Sequence, residues 1–369
     1  MKTVAAVMYE HHQPVVVEEL DLDGPRDGEV LVEMKAAGVC HSDYSVVTGT
    51  IFHDEPTVLG HEGAGIVVEV GPGVRSVKVG QRVMLAFISA CGKCFQCTRG
   101  RPSICEMQWK GAPPGTMFDG SCRFYKGRQR FCHMSRVGCM SQYTVVSENA
   151  VIPFDGAAQF EQAALIGCSV MTGVGAVVNT AKVEFGSSVA VIGTGGTGIN
   201  VIQGAVMAGA TKIIAVDIND ERLGWATQFG ATHTVNNRDG EAVERVLALT
   251  QSVGVDYAFE AIGKSATIEQ AFRMLGFGGT AVVIGIAGKH EKVSLPAVMF
   301  PAGERRIVGS MYGSSQMCND MPRLLELYRA NRLKLDELVS RNYKLSQINE
   351  AFEDLKSGQG MRGVILFDD

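Results

Sequence analysis

The sequence predicts an α/β protein of two domains, one β-rich and barrel-like and one built on a doubly wound parallel sheet. The chain has 369 residues, which is too long for one ordinary hydrophobic core. Short Val/Ile runs alternate with Gly/Pro/Asp turns through the first 150 residues. Beyond about residue 170, strand-like and helix-like stretches alternate, which is typical of parallel βαβ units.

The β-rich part contains apolar runs such as EVLVEM and GIVVEV, spaced as in a compact antiparallel barrel. Residues 105–140 differ, because Gly, Pro, Arg and Cys occur there with little periodicity. We expect these residues to form a long ordered loop.

The second part begins with SSVAVIG, a short buried strand, and continues through a Gly-rich turn into a helix. TKIIAVDI, VDYAFEAIG and GGTAVVIGIAG predict further strands of the same sheet. After about residue 312, two amphipathic helices and the strand RGVILF follow. We therefore predict a first domain over 1–169, a second over 170–312, and a return of 313–369 to the first.

Composition narrows the class of protein. The chain is 46% hydrophobic and 20% charged, as globular proteins are, and its net charge of -5 argues against nucleic acid or an anionic membrane as the main partner. No uninterrupted apolar run approaches the ~20 residues that span a bilayer. The N-terminus meets Glu10 and two His before any long apolar region, so it is a poor signal peptide. We expect a cytoplasmic protein.

A G-x-G-x-x-G pattern formed by Gly193, Gly195 and Gly198 lies between a predicted strand and a predicted helix. In that context the glycines permit a tight turn, a close approach to a pyrophosphate and close helix–strand packing. Asp217 ends the next strand, where a carboxylate binds the ribose 2′-OH and repels a 2′-phosphate, so NAD is favoured over NADP. The alternatives are a tight turn without a ligand and, for Asp217, a helix cap.

Four cysteines with C-x2-C-x2-C-x7-C spacing can surround one tetrahedral ion. A closed site of four thiolates has no position for substrate, so its role is structural, and zinc fits it. An iron–sulfur cluster is the alternative. The residues are Cys91, Cys94, Cys97 and Cys105.

Three other residues follow or end apolar strand-like runs: Cys40 in AAGVCHSD, His61 in LGHEGAG and Cys168 in LIGCSVMTG. Two thiolates and one imidazole form the ligand set of an open catalytic zinc site. From the residues alone, a buried structural cysteine or a core histidine explains each position equally well.

Together these motifs resemble the zinc-containing medium-chain alcohol dehydrogenases. GVCHSD, GHEGAG, the CGKCFQC lobe, GTMFDGSCRF, SQYTVV, GCSVMTG, GTGGTG, VDIN and MRGVILF occur in the family's order over nearly the whole chain. The resemblance implies a GroES-like catalytic domain and a Rossmann-type NAD-binding domain.

The resemblance also assigns roles by position. Cys40, His61 and Cys168 match the catalytic zinc ligands, and the four-cysteine lobe matches the structural zinc site, so two zinc ions per chain are implied. Glu62 matches an acid behind the zinc, and Asp43 matches the carboxylate that orients the ligand histidine.

The proton relay implied by the resemblance departs from that of the best-known relatives at one residue. Ser42 matches the hydroxyl that takes the alcohol proton. Three residues later, where those relatives often end the relay with a histidine, this chain has Ser45.

The remaining residues matched by the resemblance contact the cofactor or line the substrate pocket. The additional cofactor residues are His41, Thr172, Gly196, Thr197, Arg222, Ile284, Ile286 and Arg362. The pocket residues are Ser42, Phe87, Trp109, Met134 and Ile286.

The function implied is reversible hydride transfer between a primary alcohol, medium-chain or aromatic, and NAD. Thiol-conjugate-dependent formaldehyde dehydrogenases are the nearest alternative, although Trp109 stands where their cationic group is expected. A non-catalytic NAD-binding sensor or structural protein and a zinc-free quinone reductase are alternatives of other kinds, and both would lack the open zinc ligands. The long 105–140 segment occurs in dimeric relatives, so a homodimer joined through the cofactor-domain sheets is expected.

Overall fold

The computed structural model describes residues 1–156 and 158–367, and the chain divides into two compact units. The first unit runs to Cys168 and resumes at Gln316, and the second unit is Ser169–Ser315. The two-part α/β fold predicted from the sequence is confirmed.

The first unit is built mainly of strands. These are β1 Lys2–Met8, β2 Val16–Leu22, β3 Glu29–Val39, β4 Thr57–Val58, β5 Gly63–Val70, β6 Arg82–Leu85, β7 Phe124–Lys126, β8 Gln129–His133, β9 Tyr143–Ser147, β10 Val151–Pro153, β17 Val339–Lys344 and β18 Arg362–Leu366. Its helices are α1 His41–Val47, α2 Phe95–Thr98, α3 Glu106–Lys110, α4 Phe160–Leu165, α11 Met317–Arg329 and α12 Ile348–Ser357. Short 3-10 turns lie at Pro102–Ile104, Met134–Arg136, Glu148–Ala150, Asp336–Leu338 and Leu345–Gln347.

Five strands close a barrel in the order β1-β2-β7-β8-β4, and a second sheet has the order β10-β6-β5-β3-β18-β17, with β9 also paired to β3. The pairs are antiparallel except β4 with β8 and β17 with β18. Strand β3 is buried along most of its length because it pairs with β5, β9 and β18. The predicted β-rich barrel is therefore present, with two parallel pairs that the sequence did not indicate.

The prediction of a loop over residues 105–140 was wrong for its central part. β7 and β8 form a hairpin there, with Phe124 directly opposite Phe131 and Lys126 opposite Gln129. Both phenylalanines are fully buried, and Gly127 takes φ 60 in the two-residue turn. Since Lys126, Gln129 and Arg130 are exposed and the strands are short, the sequence shows no clear apolar alternation here.

The second unit contains one parallel sheet in the order β13-β12-β11-β14-β15-β16. Its strands are β11 Ser188–Ile192, β12 Lys212–Asp217, β13 His233–Asn236, β14 Val255–Glu260, β15 Leu275–Val283 and β16 Arg306–Gly309. Its helices are α5 Met171–Gly175, α6 Gly196–Met207, α7 Asp220–Gln228, α8 Ala242–Leu249, α9 Ser265–Arg273 and α10 Met299–Gly303, with a 3-10 turn at Tyr312–Ser314. The order reverses between β11 and β14, which is the switch point where doubly wound sheets bind ligands.

Among the described residues one helix, Phe160–Ala181, is long and apolar enough to cross a membrane by length and composition. It joins α4 and α5 through π-helical turns at Ile166–Val170 and Ala176–Ala181. Its most apolar window has a mean hydropathy of 1.6, and 78% of that window is buried within the protein. This burial is that of a core helix, and the polar residues within the segment explain why it does not stand out in the sequence.

Candidate active site

The two thiols and the imidazole of the scattered motifs converge in the first unit. One side-chain ligand atom each of Cys40, His61, Glu62 and Cys168 lies within 4.8 Å of all the others. The sheet explains part of this convergence: Ala37 in β3 faces Gly63 in β5, so the residue after β3 and the residue before β5 lie at the same end of the pair. Cys168 arrives on the first π-helical turn of the long core helix.

Asp43 fixes the orientation of His61. Its Oδ1 lies 3.0 Å from His61 Nδ1 and accepts the Gly60 N–H at 3.2 Å, while its Oδ2 accepts the Cys40 N–H at 3.0 Å. Since Nδ1 faces a carboxylate, it carries the proton, and the lone pair of His61 lies on Nε2. That Nε2 is buried and has no hydrogen-bond partner in the described part of the chain. An orphaned imidazole nitrogen beside two thiols fits a zinc ion, and these residues would hold it.

The ionisable groups of this cluster shift one another's pKa values. A hydrogen bond from Cys168 and the nearby His61 lower the pKa of Cys40 well below its usual value. Burial alone would lower the pKa of His61. The Asp43 carboxylate and Cys40 have the opposite effect and together outweigh burial, so the pKa lies well above its ordinary value. Without a metal ion a protonated His61 thus balances the Cys40 thiolate, and a bound ion would take the place of the proton on Nε2.

Glu62 and Arg362 form a buried ion pair behind the cluster. Burial raises the pKa of Glu62 to about 7 against the opposing effect of Arg362. A Cβ atom at Gly38 would lie 2.2 Å from Glu62 Oε2, so only glycine fits beside this carboxylate. The guanidinium of Arg362 thus contacts an acid in the structure, and its predicted contact with the pyrophosphate stays a prediction.

The four-cysteine lobe also gathers its ligands. The sulfur atoms of Cys91, Cys94, Cys97 and Cys105 all lie within 4.8 Å of one another. The Cys91 N–H points to Cys105 Sγ and the Cys94 N–H to Cys91 Sγ, each at 3.3 Å. Backbone hydrogen bonds, above all from Cys97, lower the pKa of Cys94 to about 6. Backbone donors stabilise thiolates, so the lobe fits a second tetrahedral zinc ion.

The Gly-rich loop has the geometry that its pattern predicts. Gly193 takes φ 88, which favours glycine. A Cβ at Gly198 would lie 1.8 Å from the Gly193 carbonyl oxygen, so this helix–strand contact excludes any side chain. A Cβ at Gly195 would meet nothing within 4 Å, which leaves open space in front of the loop. Gly196 and Thr197 form the first turn of α6, and the N–H groups of such a turn suit phosphate oxygens.

Asp217 ties this loop to the end of β12. Its Oδ2 accepts the Thr194 N–H at 2.8 Å and the Thr194 hydroxyl at 3.0 Å, and its Oδ1 accepts the Ile218 and Asn219 N–H groups. Asn219 caps α7, so the alternative of Asp217 as the helix cap is wrong. The carboxylate therefore sits beside the loop, as a ribose-binding acid must.

Other predicted cofactor residues are placed as follows. The Thr172 hydroxyl is buried and has no partner in the described residues. His41 is exposed at the start of α1, and Arg222 is half-buried in the first turn of α7. Ile284 and Ile286 follow β15, with Ile286 exposed. The structure does not test their contacts with a cofactor.

The predicted pocket residues differ in exposure and in what they contact. The Phe87 ring meets the His61 ring edge to face, with 5.6 Å between centroids. Ser42 Oγ lies 3.8 Å from Cys40 Sγ. Trp109 is exposed on α3, whereas Met134 is 3% exposed within the hydrophobic core, where packing accounts for it. Phe87 and Ser42 thus lie beside the metal ligands, and the roles of the other two stay predictions.

Sequence reasoning did not find three residues that organise these sites. Thr194 joins Asp217 to the Gly-rich loop, Gln108 bridges the backbone at Phe87, and Arg136 binds three loop carbonyls. Each forms hydrogen bonds that involve backbone groups. Since every residue has such groups, these contacts produce no recognisable sequence motif.

Comparison with known proteins places these sites in a family. Residues 26–156 match a profile described as "Alcohol dehydrogenase GroES-like domain", and residues 196–329 match "Zinc-binding dehydrogenase". An "NDMA-dependent alcohol dehydrogenase" of Amycolatopsis methanolica is 40% identical over 99% of both chains. Two solved structures are similar over the full length of both chains: an "alcohol dehydrogenase zinc-binding domain protein" from Burkholderia ambifaria (TM-score 0.95, 33% identity) and benzyl alcohol dehydrogenase from Acinetobacter calcoaceticus (TM-score 0.94, 30% identity).

Proposed function

Because this chain belongs to the zinc-containing medium-chain alcohol dehydrogenase family, we propose that it transfers hydride reversibly between a primary alcohol, medium-chain or aromatic, and NAD. The observation that carries the proposal is the cluster of Cys40, His61 and Cys168 with the buried, unpartnered Nε2. The similarity to benzyl alcohol dehydrogenase supports the aromatic part of the substrate range.

Two zinc ions per chain are part of the proposal, one at Cys40, His61 and Cys168 and one in the four-cysteine lobe. At the first site zinc would act as a Lewis acid, which would lower the pKa of a bound alcohol and polarise a carbonyl. NAD would accept the hydride. The second site has four thiolates and is structural.

The residues around the first site divide the remaining work. Asp43 holds the proton on His61 Nδ1, which keeps Nε2 free as a ligand atom. When Glu62 is ionised it offsets the charge of Arg362, so the pair then adds no net charge beside the thiolates. In this proposal the Ser42 hydroxyl, which lies 3.8 Å from Cys40 Sγ, accepts the alcohol proton.

Residues 170–312 bind NAD in this proposal, and residues 1–169 with 313–369 carry the catalytic groups. The open space before Gly195 and the carboxylate of Asp217 support NAD as the preferred cofactor. We further propose a cytoplasmic homodimer. β16 is an edge strand whose outer side pairs with no other strand of the described chain, and such an edge can join two copies.

A panel of alcohols and aldehydes with NAD and NADP tests the function, with and without added thiols, read at the NADH absorbance band. We expect turnover of benzyl and medium-chain alcohols with NAD and no requirement for thiol. Two zinc ions per chain are expected by metal analysis. A strict requirement for thiol would favour the formaldehyde dehydrogenase alternative, and two zinc ions without turnover would contradict the proposal.

Asp217→Asn is expected to weaken the preference for NAD. Asparagine keeps an oxygen acceptor for Thr194 and removes the negative charge that repels a 2′-phosphate, although it loses the acceptor for the Ile218 and Asn219 N–H groups. We expect the ratio of kcat/KM for NAD to that for NADP to fall by about tenfold to a hundredfold, which is ~1.4–2.7 kcal/mol. Asp220→Asn at the exposed start of α7 is the control. An unchanged ratio would remove Asp217 from cofactor selection.

Ser45→His is expected to change the pH dependence of turnover without changing zinc content. A histidine at this position has an ordinary pKa of about 6.5 and, when neutral, accepts the relayed proton. Alcohol oxidation by the variant should therefore rise relative to the parent as the pH passes upward through that value. Superimposable pH profiles of the two proteins would count against a relay ending at this residue.

A further inference from the structure

Gln108 connects the four-cysteine lobe to the backbone beside His61. It lies in α3, which begins directly after Cys105, and its N–H donates to the Cys105 carbonyl at 3.2 Å. Its side-chain Oε1 accepts the Ser89 N–H at 3.3 Å, and its Nε2 donates to the Phe87 carbonyl at 3.2 Å. One amide thus satisfies two backbone groups of a single segment, as a neighbouring strand would.

That segment needs such a partner. It continues from β6, and its last contact of the strand type is the Ala86 N–H to the Ala150 carbonyl at 2.8 Å. Past Ala86 no other described strand pairs with it. Phe87 follows immediately, and its ring lies edge to face against His61. The two hydrogen bonds between Gln108 and this segment, one to the Phe87 carbonyl and one from the Ser89 N–H, therefore hold the backbone that carries this ring.

Arg136 forms a hydrogen bond with the backbone carbonyl of Gln108. Its side chain is buried, and its guanidinium donates to the carbonyl oxygens of Thr116, Ala112 and Gln108, the last two at 3.1 and 3.3 Å. No carboxylate of the described residues forms an ion pair with it. Its φ of 63 is strained for any residue other than glycine. A buried cation whose charge is met by the carbonyls of one loop fixes the shape of that loop.

We propose that Gln108 is a positioning residue that transmits the geometry of the four-cysteine lobe to the substrate wall at Phe87, and that Arg136 holds it in place. The inference rests on the proposed function for its kinetic consequence. The four-cysteine lobe would then have two roles. It stabilises its own fold, and it sets the position of the substrate wall beside the catalytic ligands.

The test compares Gln108→Ala and Gln108→Glu with Gln129→Ala, a control at an exposed glutamine of β8. In Gln108→Ala we expect the Ser89 amide to exchange with deuterium about tenfold faster, and KM for benzyl alcohol to rise about tenfold with kcat within twofold. Zinc content should remain that of the parent. Gln108→Glu keeps the acceptor for Ser89 but loses the donor to the Phe87 carbonyl, so Ser89 should stay protected while KM still rises.

Unchanged Ser89 exchange in Gln108→Ala would overturn the proposal, as would a rise in KM accompanied by loss of zinc from the lobe. A KM equal to that of Gln129→Ala would overturn it as well. Hydrogen exchange is measured on the whole protein and needs no turnover. If the parent oxidised no alcohol, the proposed function would fail while the exchange arm still reported whether Gln108 positions this segment.

Discussion

His61→Ala is expected to lower kcat/KM for alcohol oxidation by at least about 10³-fold. The substitution removes the one nitrogen ligand of the catalytic cluster and leaves Asp43 as a buried carboxylate without its imidazole partner. A metal ion acting as Lewis acid contributes several kcal/mol to the barrier, and about 4 kcal/mol corresponds to a factor of 10³. Steady-state rates with benzyl alcohol and NAD, together with metal analysis, measure the effect.

His290→Ala is the matched control, because His290 is exposed in a loop after β15. We expect the control to keep two zinc ions and the activity of the parent. His61→Ala should lose about one zinc ion per chain while its four-cysteine lobe stays loaded. Activity above about a tenth of the parent in a sample with one zinc ion would contradict a catalytic role for the cluster.

Cys97→Ser is expected to destabilise the four-cysteine lobe strongly. The segment between Cys91 and Cys105 has few apolar contacts of its own, and none of the residues in α2 is fully buried. Its order therefore depends on the metal, and structural zinc sites can contribute on the order of 10 kcal/mol to the folding of isolated peptides. Within a larger unit we expect a loss of about 4 kcal/mol and a fall in Tm on the order of 10 °C.

Cys318→Ser provides the comparison, since Cys318 is an exposed free thiol in α11. It should keep both zinc ions and the Tm of the parent by scanning calorimetry. If Gln108 acts as proposed, Cys97→Ser should also raise KM for the alcohol. An unchanged Tm with one zinc ion lost would show that the lobe folds without its metal.

The four-cysteine lobe and the Gly-rich loop could be recognised in the sequence because each is local. Cys91 to Cys105 span a short loop, so their spacing alone predicts a tetrahedral site. Gly193 permits the tight turn, Gly195 leaves room for a pyrophosphate to approach the backbone, and Gly198 permits the helix–strand contact. All three requirements fall within six residues. The strands around them were also predictable, since buried parallel strands are continuous apolar runs.

Other features depend on contacts between distant residues, and their sequence signals are weak. The β7–β8 hairpin has only Phe124 and Phe131 as fully buried large apolar side chains, and it becomes part of the barrel by pairing with β2 and β4. The edge strands β13 and β16 have four residues each, and they are strands because they pair with β12 and β15. Local propensity does not identify such short elements, because tertiary packing decides them.

The sequence by itself determined the fold class, the Gly-rich loop and the four-cysteine lobe, because those depend on residue types in fixed local order. Its resemblance to a family was needed to single out Cys40, His61 and Cys168 as the other proposed zinc ligands. The tertiary structure alone decided that Cys40, His61 and Cys168 meet, that Arg362 pairs with Glu62 across 300 positions, and that Gln108 supports Phe87. The reason is physical: strand register and loop path set these distances. A buried polar group takes whichever partner the fold brings to it.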